Sequence, residues 1–113
     1  MAHDSHNIIA VGADDHSITE AINLIICSQG GISFICGEEK ELLALPIAGI
    51  MAGKDGYSVA SRYEFLHERA KEMGSKLGAP FMTLSFMALL VIPEIKLSDK
   101  GLFDASHFRF TGL

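Results

Sequence analysis

The chain has 113 residues, room for one hydrophobic core but not for a barrel of roughly 250 residues. Fourteen acidic against nine scattered basic residues give a formal charge of −5, which argues against a nucleic-acid backbone as partner. Hydrophobic residues make up 49% and the mean hydropathy is +0.30, a surplus that points to surface buried against a partner or neighbouring domain.

Met1-Ala2-His3-Asp4 has neither the charged nor the apolar region of a secretory signal, so the expected location is cytoplasmic. Residues 7–11, NIIAV, form a short apolar run ended by Gly12 and are predicted to be the first strand. Ser17 and Glu20 have the spacing of a capping box. Ile18, Ala21, Ile22, Ile25 and Ile26 follow at helical spacing, predicting a helix over 17–29. Gly30-Gly31 is the expected stop, supplying the left-handed residue past the helix end. Residues 32–36 and 41–45 then read as strands joined by a charged turn at 37–40. Cys27 and Cys36 lie in apolar contexts without metal-type spacing and are expected to be reduced, buried thiols.

Residues 46–57 carry Gly49, Gly53 and Gly56 but match neither a P-loop nor a dinucleotide fingerprint, and are predicted to be a crossover loop. Val59, Tyr63, Leu66, Ala70, Met73 and Leu77 step by four and three, one apolar stripe of a second helix ended by Gly78 and Pro80. Ten of the twelve residues from 81 to 92 are apolar, so this run must be buried against something. A bilayer span needs about 20 apolar residues, and Pro80 and Pro93 exclude one long helix. Ile95 and Leu97 alternate with Lys96 and Ser98, a half-exposed strand; Ser98-Asp99-Lys100-Gly101 turns the chain, and Phe108 and Phe110 mark an edge strand near the end. The expected fold is α/β of the α+β type: a single-layer mixed sheet of about five or six strands with two main helices packed on one face.

One polar cluster stands out, His3-Asp4-Ser5-His6-Asn7, directly before the first predicted strand. Two histidines and a carboxylate in four residues suit a metal, yet a metal site needs three or four converging ligands. Composition leaves three readings open: a turn or cap cluster, a binding or interface element, and a metal site built on His3, Asp4 and His6. The His-x-Glu and Pro-Cys-x-x-Cys pairs of cytidine-type deaminases are missing, as is the Gly-x-Ser-x-Gly elbow of serine hydrolases.

The blocks PFMTLSFMALLVIPEIKLSDKGL at 80–102, HDSHNIIAVG at 3–12 and LPIAGIM at 45–51 lie in an order that resembles the C-terminal domain of bacterial adenine deaminases. Those enzymes belong to the metal-dependent amidohydrolase superfamily. Leu90 stands where that family is expected to carry proline. The resemblance implies a parent enzyme of purine salvage that hydrolyses adenine to hypoxanthine and ammonia. Its divalent metal, manganese or iron, would sit in a separate barrel domain whose first ligands form His-x-His, a pattern these 113 residues lack. The expectation is therefore one accessory domain, 1–113, an excised or detached piece or else a free-standing reading frame, inactive alone and without catalytic residues or cofactor of its own. Its expected partners are the barrel domain and, through the parent, adenine, with homo-oligomerisation open and neither nucleic acid nor membrane involved. His3, Asp4, Ser5, His6 and Asn7 are the candidates for the substrate pocket or domain interface. The alternative is a non-catalytic interaction or dimerisation module.

Overall fold

The computed structural model describes residues 2–112. Helix α1 (Asp15–Cys27) leads into an antiparallel hairpin, β1 (Gly31–Cys36) and β2 (Glu39–Ala44). A loop holding a small bridge between Ile47 and Met51 crosses to α2 (Gly56–Glu72) and the short α3 (Pro80–Phe86). An antiparallel three-stranded sheet, β3 (Ile95–Ser98), β4 (Gly101–Asp104) and β5 (Arg109–Thr111), closes the chain. The class is α+β, as the sequence predicts. The single mixed layer is instead two separate antiparallel sheets.

Residue alternation in the hairpin explains why two helices are needed to cover it. Directly paired residues share a face, so Ile32, Phe34 and Cys36 lie with Leu43, Glu41 and Glu39, and the intervening residues lie opposite. The first face meets α2. Leu66 is fully buried against Ile32, Leu43 and Leu45, while Arg62 pairs with Glu41 and Arg69 with Glu39. Cys36 Sγ lies 3.3 Å from Met73 Sδ on the same side. The second face meets α1, where Ser33 donates to the Ala21 carbonyl at 2.9 Å and Lys40 pairs with Glu20. The expectation of both helices on one face fails because the hairpin is apolar and charged on both sides.

Local signals shift in instructive ways. Asp14, not Ser17, caps α1, accepting from the Ser17 backbone N–H at 2.8 Å and from its hydroxyl at 2.9 Å. Those two bonds, the backbone one first, hold the Asp14 carboxyl below its ordinary value of 3.8. Glu20 is freed from the predicted capping box to reach Lys40. The left-handed residue after α1 is Gln29 (φ 61°), one position before the predicted glycine. Gly30 and Gly31 are required for another reason: a Cβ on Gly30 would sit 2.3 Å from Gly49 Cα, and one on Gly31 2.4 Å from the Leu43 carbonyl oxygen. The first hairpin turn is two residues, Gly37-Glu38, shorter than predicted, and places Glu39 in β2. Cys27, on the last turn of α1, is exposed and Cys36, at the end of β1, is half-buried, both free thiols, so the expected burial is not reached.

Two predicted features take other forms. Residues 7–11 form no strand, since no neighbouring strand pairs with them, and Val11 is 79% exposed. The apolar run after Pro80 opens as α3, with proline in the first turn where its missing N–H costs nothing. It then breaks into turns and leaves Met82, Phe86, Met87 and Val91 exposed.

In the second sheet Phe103 packs edge-on against Phe108 and Phe110, each at 5.3 Å. These fall on one face, with Lys96, whereas Ile95 and Leu97 lie on the other, 55% and 78% exposed. The predicted half-exposed strand is there, but its apolar side is the open one. The chain is elongated: its 15.1 Å radius of gyration exceeds the roughly 13 Å of a compact chain this long. Its accessible surface of 7533 Å² compares with about 6,050 Å² for a compact monomer of 12.2 kDa. About 1,500 Å² of surface is thus left that a self-sufficient monomer of this mass would have covered.

Candidate functional site

The five candidate polar residues occupy a tight turn ahead of α1. Ala2 is buried and anchors it, its carbonyl accepting from the His6 backbone N–H at 2.9 Å. His6 closes the turn with φ 52°, a left-handed conformation that a non-glycine residue adopts at a cost. Ser5 Oγ donates to Asn7 Oδ1 at 2.8 Å. His3 is half-buried; Asp4, Ser5, His6 and Asn7 are exposed.

A cavity of about 260 Å³ opens between this turn, the end of α1 and the loop around Gly49. His6 and Asn7 stand on its rim with Gln29, and Ile25, Ile26 and Ile50 supply apolar wall. His3, Asp4 and Ser5 lie outside the lining. The structure therefore brings two of the five candidates to one concavity and leaves three beside it. Gln29 and the Gly30–Gly49 approach escaped the sequence reading. Their signal was the Gly30-Gly31 pair, which marks close backbone approach as well as a helix stop.

Metal-ligating chemistry does not fit this turn. Among the described residues no three His, Cys, Asp or Glu side chains converge on a point where an ion would be held. The other histidines are dispersed. His16 lies 3.9 Å from Glu20, His67 neighbours the Tyr63 ring, and His107 Nδ1 is 2.7 Å from Asp104 Oδ2. That last contact, followed by the His107 backbone N–H, holds the Asp104 carboxyl below 3.8.

A second, larger concavity of about 720 Å³ runs along β1 between α1 and α3. Its walls are mainly apolar, with Ala21 and Ile25 on one side and Phe81 and Leu84 on the other. Among the described residues no helix is long and apolar enough to cross a membrane.

Fold and site define a small α+β module with polar side chains at the rim of one cavity and a longer apolar groove beside its first sheet. The chain belongs to the adenine deaminase C-terminal domain family, which it matches over residues 1–109. It is 61% identical, over 97% of its length, to the adenine deaminase of Sulfurovum sp. (strain NBC37-1), covering 21% of that protein. Over its full length it is 56% identical to the adenine deaminase of Methanosarcina acetivorans, of which it covers 20%. The adenine deaminase of Borreliella burgdorferi is 46% identical over 97% of the chain, again 20% of that protein. The chain spans about a fifth of the length of these curated relatives. No solved structure matches it at a significant level.

Proposed function

We propose that this chain is an accessory C-terminal domain of an adenine deaminase, one domain over 1–113, which closes or supports the substrate pocket of a separate barrel domain. The longer enzyme would hydrolyse adenine to hypoxanthine and ammonia in cytoplasmic purine salvage, with a divalent metal, manganese or iron, held in the barrel. The observation that carries this reading is the family match over 1–109 by a chain spanning only a fifth of its relatives. The accessible surface, well above that of a compact monomer, supports it, because a domain that docks on a larger one leaves such area open.

On this reading the His3-to-Asn7 turn faces the barrel, and His6 and Asn7 at the cavity rim offer hydrogen bonds to the pocket or to the loops that shape it. Replacing His3 and His6 by alanine in the longer enzyme is expected to raise KM for adenine roughly 3- to 10-fold, the loss of one hydrogen bond, with a smaller change in kcat. Steady-state kinetics and a thermal melt check this; unchanged kinetics together with an unchanged melt would end the pocket role of the turn. The interaction or dimerisation reading is favoured by one observation, the exposed Ile95 and Leu97 on the open face of the second sheet.

A further inference from the structure

The apolar groove follows a strand edge. Gly31, Ile32, Ser33, Phe34 and Ile35 all line it, although alternate members point to opposite faces of the hairpin. Consecutive residues share one concavity only where it opens onto the side of the strand, and β2 occupies the other side.

The register identifies which backbone groups face the groove. Leu45 N–H donates to the Gly30 carbonyl at 3.0 Å, so hydrogen-bonded pairs fall at 30, 32, 34 and 36 on this strand. The N–H and C=O of Gly31, Ser33 and Ile35 therefore point away from β2 into the groove. Among the described residues none of these six groups has a hydrogen-bond partner. Unpaired backbone groups in an apolar trough are costly, and an edge of this kind is a template for another strand.

We propose that the β1 edge is the seat of an extended, predominantly apolar strand contributed by the remainder of the adenine deaminase polypeptide. Three observations choose this occupant. The trough is mainly apolar, its polar lining limited to Asp14 and a few hydroxyls such as Ser17, Thr83 and Ser85, so an inserted strand buries both faces and is predominantly apolar, unlike a half-exposed strand. Strand spacings imply about 160 Å³ per residue, so the groove accepts about four or five residues, close to the length of β1. The relatives carry about four fifths of their length outside the region this chain matches, ample polypeptide to supply such a strand. Ile9 and Ala10 form part of the groove's lining, so the docked strand also meets the run whose composition predicts a strand but which finds no ladder here.

The proposal rests on the accessory-domain reading and is tested by amide hydrogen exchange on this chain alone and on the longer enzyme. The Ser33 and Ile35 amides are expected to exchange roughly 100-fold more slowly in the longer enzyme, while Ile32 and Phe34 are protected in both. Ile35→Pro removes an outward N–H without touching a β1–β2 bond. It is expected to leave the melt of the isolated chain within a few degrees of the parent sequence and to lower the melt of the longer enzyme. Ser33 and Ile35 amides that exchange equally fast in both samples overturn the proposal. So does protection that appears in the isolated chain as its concentration rises, which would assign the edge to a second copy. Adenine turnover is read on the same samples. An isolated chain that turns over adenine refutes the accessory reading, whereas unprotected amides in an active longer enzyme refute only the docked strand.

Discussion

Leu66→Ala is expected to destabilise the isolated chain by about 3–4 kcal/mol, lowering its thermal midpoint by roughly 12–20 °C. Leu66 has no exposed surface and sits where α2 meets the hairpin, touching the cluster of Ile32, Leu43 and Leu45. A leucine truncated there loses its transfer free energy and leaves a cavity that a rigid hairpin cannot collapse into. The core is small, so one residue carries a large share of it. Leu97→Ala is the internal control: at 78% exposure on the open face of the second sheet it should change the isolated chain by less than about 0.5 kcal/mol. Thermal melts of the two variants decide the point, and similar losses from both would mean that the core is not where the structure puts it.

Gly30→Ala is expected to cost about 3–5 kcal/mol, combining strain at a disfavoured backbone angle with overpacking. Its φ is 127°, and the new Cβ would meet Gly49 Cα at 2.3 Å and the Gly49 carbonyl oxygen at 2.8 Å. Those contacts are with backbone, which has no rotamer to yield. The substitution must therefore push the end of α1 away from the 48–50 loop, opening the cavity that His6 and Asn7 border. Gly37→Ala separates the two contributions. Gly37 also has a positive φ, 57°, but nothing lies within 4 Å of its Cβ position, so it should cost only about 1–2 kcal/mol. Equal losses in denaturant titration would contradict the close approach.

What the sequence revealed and what it hid follow the range of the interactions involved. The predicted end of α2 at Gly78 overshoots: the helix stops at Glu72, and Met73 and Leu77 of the predicted stripe are exposed. The body of α2 was legible because Val59, Tyr63 and Leu66 repeat at helical spacing within one element, and all three reach the core. Both hairpin turns were legible for the same reason, although the first is shorter than its charged composition suggests. The 7–11 run misled because a strand is defined by a neighbour, and an apolar composition does not supply one. The opposite placement of α1 and α2 was encoded in Glu39, Lys40 and Glu41, whose charges alternate across the hairpin to meet Arg69, Glu20 and Arg62. That code becomes readable only once the register is known. For the site, composition drew attention to His3-Asp4-Ser5-His6-Asn7, but the turn closed by Ala2 and His6 decides that only His6 and Asn7 border the cavity. The family was legible from three separated sequence blocks, a reading that needs no tertiary information, and the family match over residues 1–109 bears it out.

The accessory role is tested most directly by adenine turnover and metal content of this chain alone, purified from manganese-supplemented medium. The expected result is no hypoxanthine above background and well under about 0.2 metal per chain, since a true site approaches full occupancy. Hypoxanthine release with stoichiometric metal would mean that the His3-to-Asn7 turn assembles a reaction centre of its own, and the accessory-domain account would be wrong.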